Sequence, residues 1–573
     1  MKISVAEYVA KFIISKGVRH FFGYQGSAAL KLIDAMCTEG MTYCQSYHEQ
    51  AAAFAADGYA RISGNIGVAV ATSGPGATNL LTGIADAYFD SVPCIFITGQ
   101  VDCKYLIRDK RIRQSGFQQV DIVSIAQPIV KYAVTVMDPE DIYFELDKAW
   151  NIATSGRKGP VLIDIPLDIQ FANIENKQIE NAAPIATMAA IPDVEDVLNV
   201  LANSNRPLIL CGGGVRQANA CGLASSIIAA TGIPAISTLC GLDATSDIIS
   251  FSGIFGRSDA NLLLDNADTI LVLGSRLSVH QLGKQVKSFP RGKLIQIDID
   301  PDGLYKNTLQ MQTIRADLYD FLSQMVALQL SRSVVSPDRF SCWRAQANIW
   351  TQRYADNVLV NGAGANGIDP VLFCRQIYRM MPEDTIYCAD VGQNQMWAAQ
   401  AYIAGGSRRL LNSAGHGSMG FALPAAIGAS YAAPSRTVVA FIGDGGFQMN
   451  LQELQFIHDK NMPILCIVFN NNTLGMMRAQ QKKYFSEHYI GSSTEYYSCV
   501  NLKKIADAYG IKYFHVTEHS HVEMLQSFIG KTPCLIEVSL HADAKLLNRY
   551  DEPEIFSQNS ICNQVHFEKA VRC

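Results

Sequence analysis

Short apolar runs rich in Val, Ile and Leu recur along the chain, each stopped by Gly, Pro or Asp and followed by a helical stretch. Examples are Val161-Leu-Ile-Asp-Ile-Pro166, Pro207-Leu-Ile-Leu-Cys211, Thr269-Ile-Leu-Val-Leu273, Lys293-Leu-Ile-Gln-Ile-Asp298, Thr437-Val-Val-Ala-Phe-Ile442 and Ile464-Leu-Cys-Ile-Val-Phe469. Such runs are too short for helices and too continuously apolar for strands with one wet face. They fit strands of parallel sheets covered by helices on both sides. With 573 residues the pattern predicts three consecutive α/β domains, each a doubly wound parallel sheet: 1–170, 190–330 and 366–547, then a polar tail over 548–573. The weakly apolar stretch Phe171–Pro192 reads as a linker, and Leu330–Ala365 as a polar connection.

Composition closes off several classes of function. Lys and Arg total 47 against 52 Asp and Glu, a formal charge of −5, so no basic stripe for nucleic acid is expected. No apolar run reaches the roughly 18 residues of a membrane span. The N-terminus (MKISVAEYVAKFIISKGVRHFFG) spreads charges through its apolar positions and reads as an amphipathic helix rather than a signal peptide. Fifteen scattered cysteines without CxxC or Cys/His pairing suit free thiols in a reducing, cytoplasmic setting.

Ligands of open α/β sheets sit beyond the carboxyl ends of strands. The sharpest such junction is Phe441-Ile-Gly-Asp-Gly-Gly446, and Asn470-Asn-Asn472 follows the next strand. Asp444 and Asn471 are 27 residues apart (471 − 444), enough for one strand–helix–strand unit, which sets both at adjacent strand ends. A carboxylate, an amide oxygen and diphosphate oxygens form the hard set that Mg2+ prefers. A lone GDG is usually just a turn; the correctly placed Asn run is what gives it weight.

GDG followed by NN at this spacing resembles the thiamin diphosphate (ThDP) motif of the 2-oxoacid decarboxylase and carboligase superfamily, closest to the acetolactate synthase branch. Phe22–Gly26, Tyr47–Gln50, Thr72–Asn79, Val391–Trp397 and Gly415–Phe421 carry the likeness along nearly the whole chain. The resemblance implies that Glu49 hydrogen-bonds the cofactor's pyrimidine and activates it, and that Met419 wedges beneath the folded cofactor. It places Gly26, Pro75, Asn79, Gly392, Gln393, Asn394, Gly417, Ser418, Gly445, Gly446, Gly475 and Met476 around ThDP. Asp444, Asn471 and Thr473 are then the Mg2+ ligands, and Phe117 and Gln118 stand near the reacting carbon. It also implies a homodimer, or a homotetramer built from dimers, with each cofactor shared between subunits.

Cys211-Gly-Gly-Gly-Val-Arg216 alone is weak evidence of dinucleotide binding. With Arg157, Gly212, Gly213, Gly214, Thr238, Leu239, Gly253, Phe255, Gly274, Arg276, Asp298, Ile299 and Asp317 it resembles the FAD site of acetolactate synthase, where flavin does no net redox work. The alternative is a domain that binds nothing, or a nucleotide such as ADP. A nicotinamide dehydrogenase leaves the GDG–NN pair and Glu49 unexplained, and a silent scaffold would not have kept Glu49 and Asp444.

Five positions depart from the family. His280 replaces the arginine that holds the acceptor's carboxylate, and an imidazole cannot make a guanidinium's bidentate clamp. Gln480 replaces the lid tryptophan, Leu167 a channel lysine, Asn394 a histidine beside the cofactor, and Gln25 a proline. Arg478 or Lys131 could rebuild the clamp. Gln25, His280, Asn394 and Gln480 together imply a more polar acceptor pocket. The expected function is therefore a ThDP-dependent carboligase that decarboxylates pyruvate and passes the two-carbon unit to a carbonyl acceptor, such as a ketone or nucleotide-linked keto-sugar. The alternatives are acetolactate synthesis from two pyruvates, other 2-oxoacid decarboxylase or lyase chemistry, and a non-catalytic scaffold of the same fold. Lys482-Lys-Tyr-Phe485, in the lid region, is either a solvated face or a contact for an anionic acceptor.

Overall fold

The computed structural model describes residues 2–106, 111–179, 193–283, 292–300, 311–363, 367–544 and 546. Three six-stranded, wholly parallel sheets follow one another along the chain. The first runs in the spatial order Thr42–Gln45, His20–Tyr24, Gly67–Ala71, Cys94–Gln100, Val161–Pro166, Tyr132–Thr135. The third runs Arg409–Asn412, Ile386–Ala389, Val438–Gly443, Ile464–Asn470, Cys534–Ser539, Lys512–Val516. Numbered within each domain, both orders are 2-1-3-4-6-5. The middle sheet runs Ile248–Phe251, Ala235–Ser237, Pro207–Cys211, Thr269–Leu273, Lys293–Asp298, Met311–Arg315, or 3-2-1-4-5-6, the doubly wound order of dinucleotide-binding domains. The order reverses beside the first strand of every domain, and there the chain opens a crevice.

Local sequence explains the elements. Helix Val5–Ser15 begins with a capping box, in which the Ser4 hydroxyl accepts from the Glu7 amide (3.2 Å) and the Glu7 carboxylate accepts from the Ser4 amide (2.6 Å). Strands such as Val161–Pro166 and Thr269–Leu273 are buried along their whole length, as a sheet covered on both faces requires.

Two alanine-rich helices, Glu49–Ser63 and Ala422–Ala432, cross between the first and third domains. A methyl group on Gly58 would stand 2.3 Å from the Ala425 carbonyl, and one on Gly428 1.9 Å from that of Ala55. Only glycine permits this approach, and it lets the two domains share one apolar core. The middle domain keeps a core of its own.

Both expected connections need correction. Asn173–Glu175 is a strand, antiparallel to Lys2–Ser4, so the supposed linker begins as part of the first domain; residues 180–192 lie outside the described residues. The polar connection 330–365 carries the helix Ser341–Ala363. Its Trp343, Ala347 and Trp350 enter the middle core, and Tyr354 and Val358 join an apolar cluster of the third domain. No helix among the described residues is long and apolar enough to cross a membrane. The tail 548–573 lies outside the described residues.

Candidate active site

Strand Val438–Gly443 ends on Asp444, which opens the helix Asp444–Asn450. Asp444 Oδ1 accepts from the Gly445 amide at 2.9 Å, whereas Oδ2 is buried with no hydrogen-bond partner among the described residues. Burial pushes this carboxyl up to about 7, against the stabilising pull of nearby amides and the Tyr497 hydroxyl. From the adjacent strand, Asn471 Oδ1 accepts weakly from the Thr473 amide at 3.3 Å. The Thr473 hydroxyl is given to the Ser492 carbonyl, so the oxygen it can offer a metal is its own carbonyl. Gly475 opens the next helix, with Met476 after it, because a methyl there would stand 2.0 Å from Gln393 Oε1 and 2.8 Å from Asn471 Nδ2. Gln393 Oε1 is itself buried and unpartnered. Asp444, Gly445, Gly446, Asn471, Thr473, Gly475 and Gln393 therefore gather at one crevice.

The segment 413–420 borders it. Asp390, at the end of strand Ile386–Ala389, accepts the amides of Gly420 and Ala422, both at 2.9 Å. A methyl on Gly446 would stand 2.3 Å from Asp390 Oδ1. The Ser413 hydroxyl accepts the amides of Gly417 (3.0 Å) and Ser418 (2.8 Å) and donates to Asp86 of the first domain. Asp90 accepts the amides of Gly415 (2.8 Å) and Ala414 (3.0 Å) and is paired with Arg61 (3.1 Å), which also forks onto Asp57. Burial, then the carboxylates of Asp90 and Asp57, raise the Asp86 carboxyl well above the carboxylate range, with Arg61 and the Ser413 hydroxyl opposing. Gly417, at φ +77°, turns the chain. Beyond it the Ser418 hydroxyl is buried and unpartnered, and the Met419 methyl lies 3.3 Å from where a Gly445 Cβ would stand. Sequence reading missed Asp390, Asp86, Asp90 and Ser413. The one available signal was an Asp directly after a strand, at 390.

In the first domain Glu49 is the first residue of its helix and 7% exposed. Its Oε2 accepts from Asn79 Nδ2 at 3.0 Å, and its Oε1 would stand 3.0 Å from a methyl on Gly76. Pro75 starts the short helix that carries Asn79. Gly26 packs on Thr72, its absent methyl 2.6 Å from the Thr72 methyl. Gly74 (φ +61°) and Gln118 (φ +62°) meet backbone to backbone, and Phe117 beside them is 85% exposed. The hydrogen-bond partners of Glu49 and Asp444 each lie in their own domain, so one chain does not bring these two together through them.

The middle domain's reversal point opens on a cleft of about 650 Å³. Arg157, Gly213, Gly214, Thr238, Leu239, Gly253, Phe255, Gly274, Arg276, Asp298, Ile299 and Asp317 all line it. Gly212 sits behind, where a methyl would stand 2.2 Å from the Gly274 carbonyl. Phe89, Asp90, Ala414 and Gly415 form another part of the wall, so the cleft reaches the segment that carries Ser418 and Met419.

The expected acceptor residues come from three different domains. His280 lines the flavin-sized cleft, edge-on to Phe255 at 6.4 Å. Gln25 is exposed at a first-domain strand end, and Gln480 is exposed on the helix Gly475–Tyr484 of the third. Asn394 is buried, donating to the Asp390 carbonyl at 2.7 Å. Leu167 starts the short helix Leu167–Phe171. Lys131 spends its ammonium on the Ile152 and Ser155 carbonyls, and Arg478 pairs with Asp543 at 2.9 Å, so neither stands ready as a replacement clamp. Tyr484 and Phe485, beside Lys482 and Lys483, are exposed.

Comparison with known proteins follows the same division into domains. The model of the thiamine pyrophosphate enzyme N-terminal TPP binding domain matches residues 3–125, that of the central domain residues 194–325, and that of the C-terminal TPP binding domain residues 390–538. The chain is 34% identical over 541 residues to the acetolactate synthase isozyme 2 large subunit of Escherichia coli (strain K12), covering 93% of this chain and 95% of that one. It is 33% identical over 564 residues to the probable acetolactate synthase large subunit of Methanocaldococcus jannaschii, covering 93% and 91%. The acetolactate synthase large subunit of Porphyra purpurea is 34% identical over 527 residues, covering 89% and 87%.

Proposed function

The chain belongs to the thiamine pyrophosphate enzyme family, and on that premise we propose a carboligase of the acetolactate synthase type, which decarboxylates pyruvate and joins the two-carbon unit to a second carbonyl compound. The observation that carries this reading is the unpartnered Asp444 Oδ2 beside Asn471, at two adjacent strand ends floored by Gly445 and Gly446. A buried carboxyl oxygen left without a donor is costly unless a ligand completes it, and Mg2+ on a diphosphate does so. Asp444, Asn471 and the Thr473 carbonyl would hold the metal. The unpartnered Gln393 and Ser418 oxygens suit an aminopyrimidine edge, and Met419 lies where it can support a bent cofactor.

Bound ThDP supplies a nucleophilic carbon and an electron sink for decarboxylation. The chain's part is to hold and move protons. Glu49, shielded from water and anchored by Asn79, is placed to share a proton with the pyrimidine. The family resemblance adds a homodimer, or a tetramer of dimers, in which Glu49 of one subunit faces the diphosphate crevice of another.

FAD is the proposed occupant of the middle cleft. Its volume and its reach from Asp298 and Asp317 to Gly415 suit a full dinucleotide, and ADP would leave part of it unfilled. Thirteen cysteines among the described residues are free thiols, in keeping with a reducing, cytoplasmic setting.

Two acceptors compete. The relatives' names favour a second pyruvate, giving acetolactate, over the changed acceptor. His280 and Gln480 favour the changed acceptor, since neither offers a bidentate carboxylate clamp. Incubating the ThDP- and Mg2+-loaded protein with pyruvate alone, then with 2-oxobutyrate or a keto-sugar, and reading product mass separates them. Acetolactate as the main product in every mixture supports the first acceptor; a product formed only with an added ketone supports the second. Pyruvate left unconsumed in every mixture would refute both.

A further inference from the structure

A second cavity, of about 390 Å³, opens between the middle and third domains and shares no lining residue with the flavin-sized cleft. Four arginines line it, Arg216 from the middle domain and Arg408, Arg409 and Arg436 from the third, and Asp243 is the only carboxylate among its lining residues. Asp243 is fully engaged. Its Oδ1 accepts from Arg216 Nε at 3.1 Å, and its Oδ2 from Arg409 Nε at 2.6 Å and the Leu410 amide at 3.2 Å. Burial opposes its ionisation, but Arg409 and Arg216 outweigh that and hold it below the usual carboxylate range.

The other two arginines have only backbone carbonyls. Arg436 donates to those of Asp384 (2.5 Å) and Ser407 (2.7 Å), and Arg408 to those of Ile403 (3.2 Å) and Met381 (3.4 Å). Each of the four keeps a guanidinium nitrogen without a protein partner among the described residues: Arg216 Nη1, Arg409 Nη2, Arg436 Nη1 and the buried Nε of Arg408. Burial, then the charges of Arg409 and Arg216, weaken the hold of Arg436 on its proton, with Asp384 opposing. Asp247, close by, accepts from the Ser225 and Thr245 hydroxyls.

Four guanidiniums around one carboxylate, which only Arg216 and Arg409 bond, leave an excess of positive charge in a partly desolvated space, which is unfavourable unless an anion joins them. We propose that this cavity binds a multivalent oxyanion of the phosphate class, either free or as the diphosphate end of a nucleotide, and that the anion ties the middle and third domains together. The planar fork of arginine suits phosphate oxygens in pairs, and a wall drawn from both domains makes the anion a bridge between them.

The test uses holoenzyme saturated with ThDP, Mg2+ and FAD, so that the other phosphate sites are filled. It is titrated calorimetrically with inorganic phosphate and, separately, with ADP. Saturable binding of at least one probe is expected: tighter phosphate points to a free oxyanion, tighter ADP to a nucleotide's diphosphate. Arg436→Gln and Arg216→Gln should each weaken that binding about tenfold or more. Both should keep pyruvate turnover, since neither side chain touches the thiamin crevice or the flavin-sized cleft, and turnover reports that each variant is folded. No saturable binding of either probe to the wild-type holoenzyme overturns the proposal, as does binding that both variants leave unchanged.

Discussion

Glu49 makes one side-chain bond that fixes its direction, from Asn79. Glu49→Gln keeps the shape and the bond to Asn79 but cannot exchange the proton. Turnover should fall about a hundredfold or more, with ThDP still retained on gel filtration; full activity would refute the role. A second carboxyl tests electrostatics away from the site. Asp164 is 1% exposed and accepts from Thr98 (2.7 Å), Thr135 (3.1 Å) and Gln100 (3.2 Å), and burial nonetheless pushes it up to about 7. A folded-state value above the unfolded one means that the native state holds the extra proton. The stabilisation is complete below the unfolded value and is lost as pH rises through about 7. Thermal unfolding at about pH 5 and about pH 8 should show this decline, and Asp164→Asn, which cannot ionise, should flatten it. An unchanged pH profile in the variant would count against it.

Elements transmit the same constraints. The crossing of Glu49–Ser63 with Ala422–Ala432 depends on Gly58 and Gly428. Gly428→Ala forces a methyl into a backbone carbonyl and should cost about 3 kcal/mol or more, read as a lower melting temperature; an unchanged one would contradict the crossing. Ser413 gathers the Gly417 and Ser418 amides and donates in turn to Asp86. Ser413→Ala should raise the apparent KM for ThDP about tenfold with a smaller change in kcat, and Ser413→Thr should restore it in part. The strands were legible because runs such as Thr269–Leu273 and Ile464–Phe469 are apolar throughout, which only a doubly covered sheet explains. Helix Ser341–Ala363 was not, because its exposed faces make the average sequence polar. Yet Trp343, Ala347, Trp350, Tyr354 and Val358 recur at steps of three or four residues, a stripe that marks a helix. The GDG–NN pair was readable as local motif chemistry. Asp86, Asp90 and Ser413 were not, since the bonds that join Ser413 to Asp86 and Asp90 to Ala414 and Gly415 each span more than 300 residues and no local pattern reports such pairing.

At the scale of the molecule, the first and third domains share the order 2-1-3-4-6-5 although no repeat is visible in the sequence. Sheet topology depends on the apolar pattern, which many sequences satisfy. Glu49 follows the edge strand Thr42–Gln45 of the first sheet and Asp444 the inner strand Val438–Gly443 of the third; in the proposed reading the first shares a proton and the second binds metal. The middle sheet's 3-2-1-4-5-6 order sets the Gly212–Gly214 turn and Gly274 side by side at its own reversal point. Purified protein should therefore carry flavin, seen as yellow colour with absorbance around 450 nm; colourless protein that takes up no FAD would leave the cleft to another nucleotide. The central claim is carboligation from pyruvate, and its stoichiometry tests it most directly. With ThDP and Mg2+ but no second substrate, and then with an added ketone, pyruvate consumed and CO2 released are measured together. Two pyruvates lost for each CO2, with a five-carbon acid formed, is the result expected when pyruvate is also the acceptor; with a changed acceptor, ThDP-dependent loss appears only once the ketone is added. One pyruvate lost per CO2 with free acetaldehyde as the product, or no ThDP-dependent loss with or without the added ketone, would contradict carboligation.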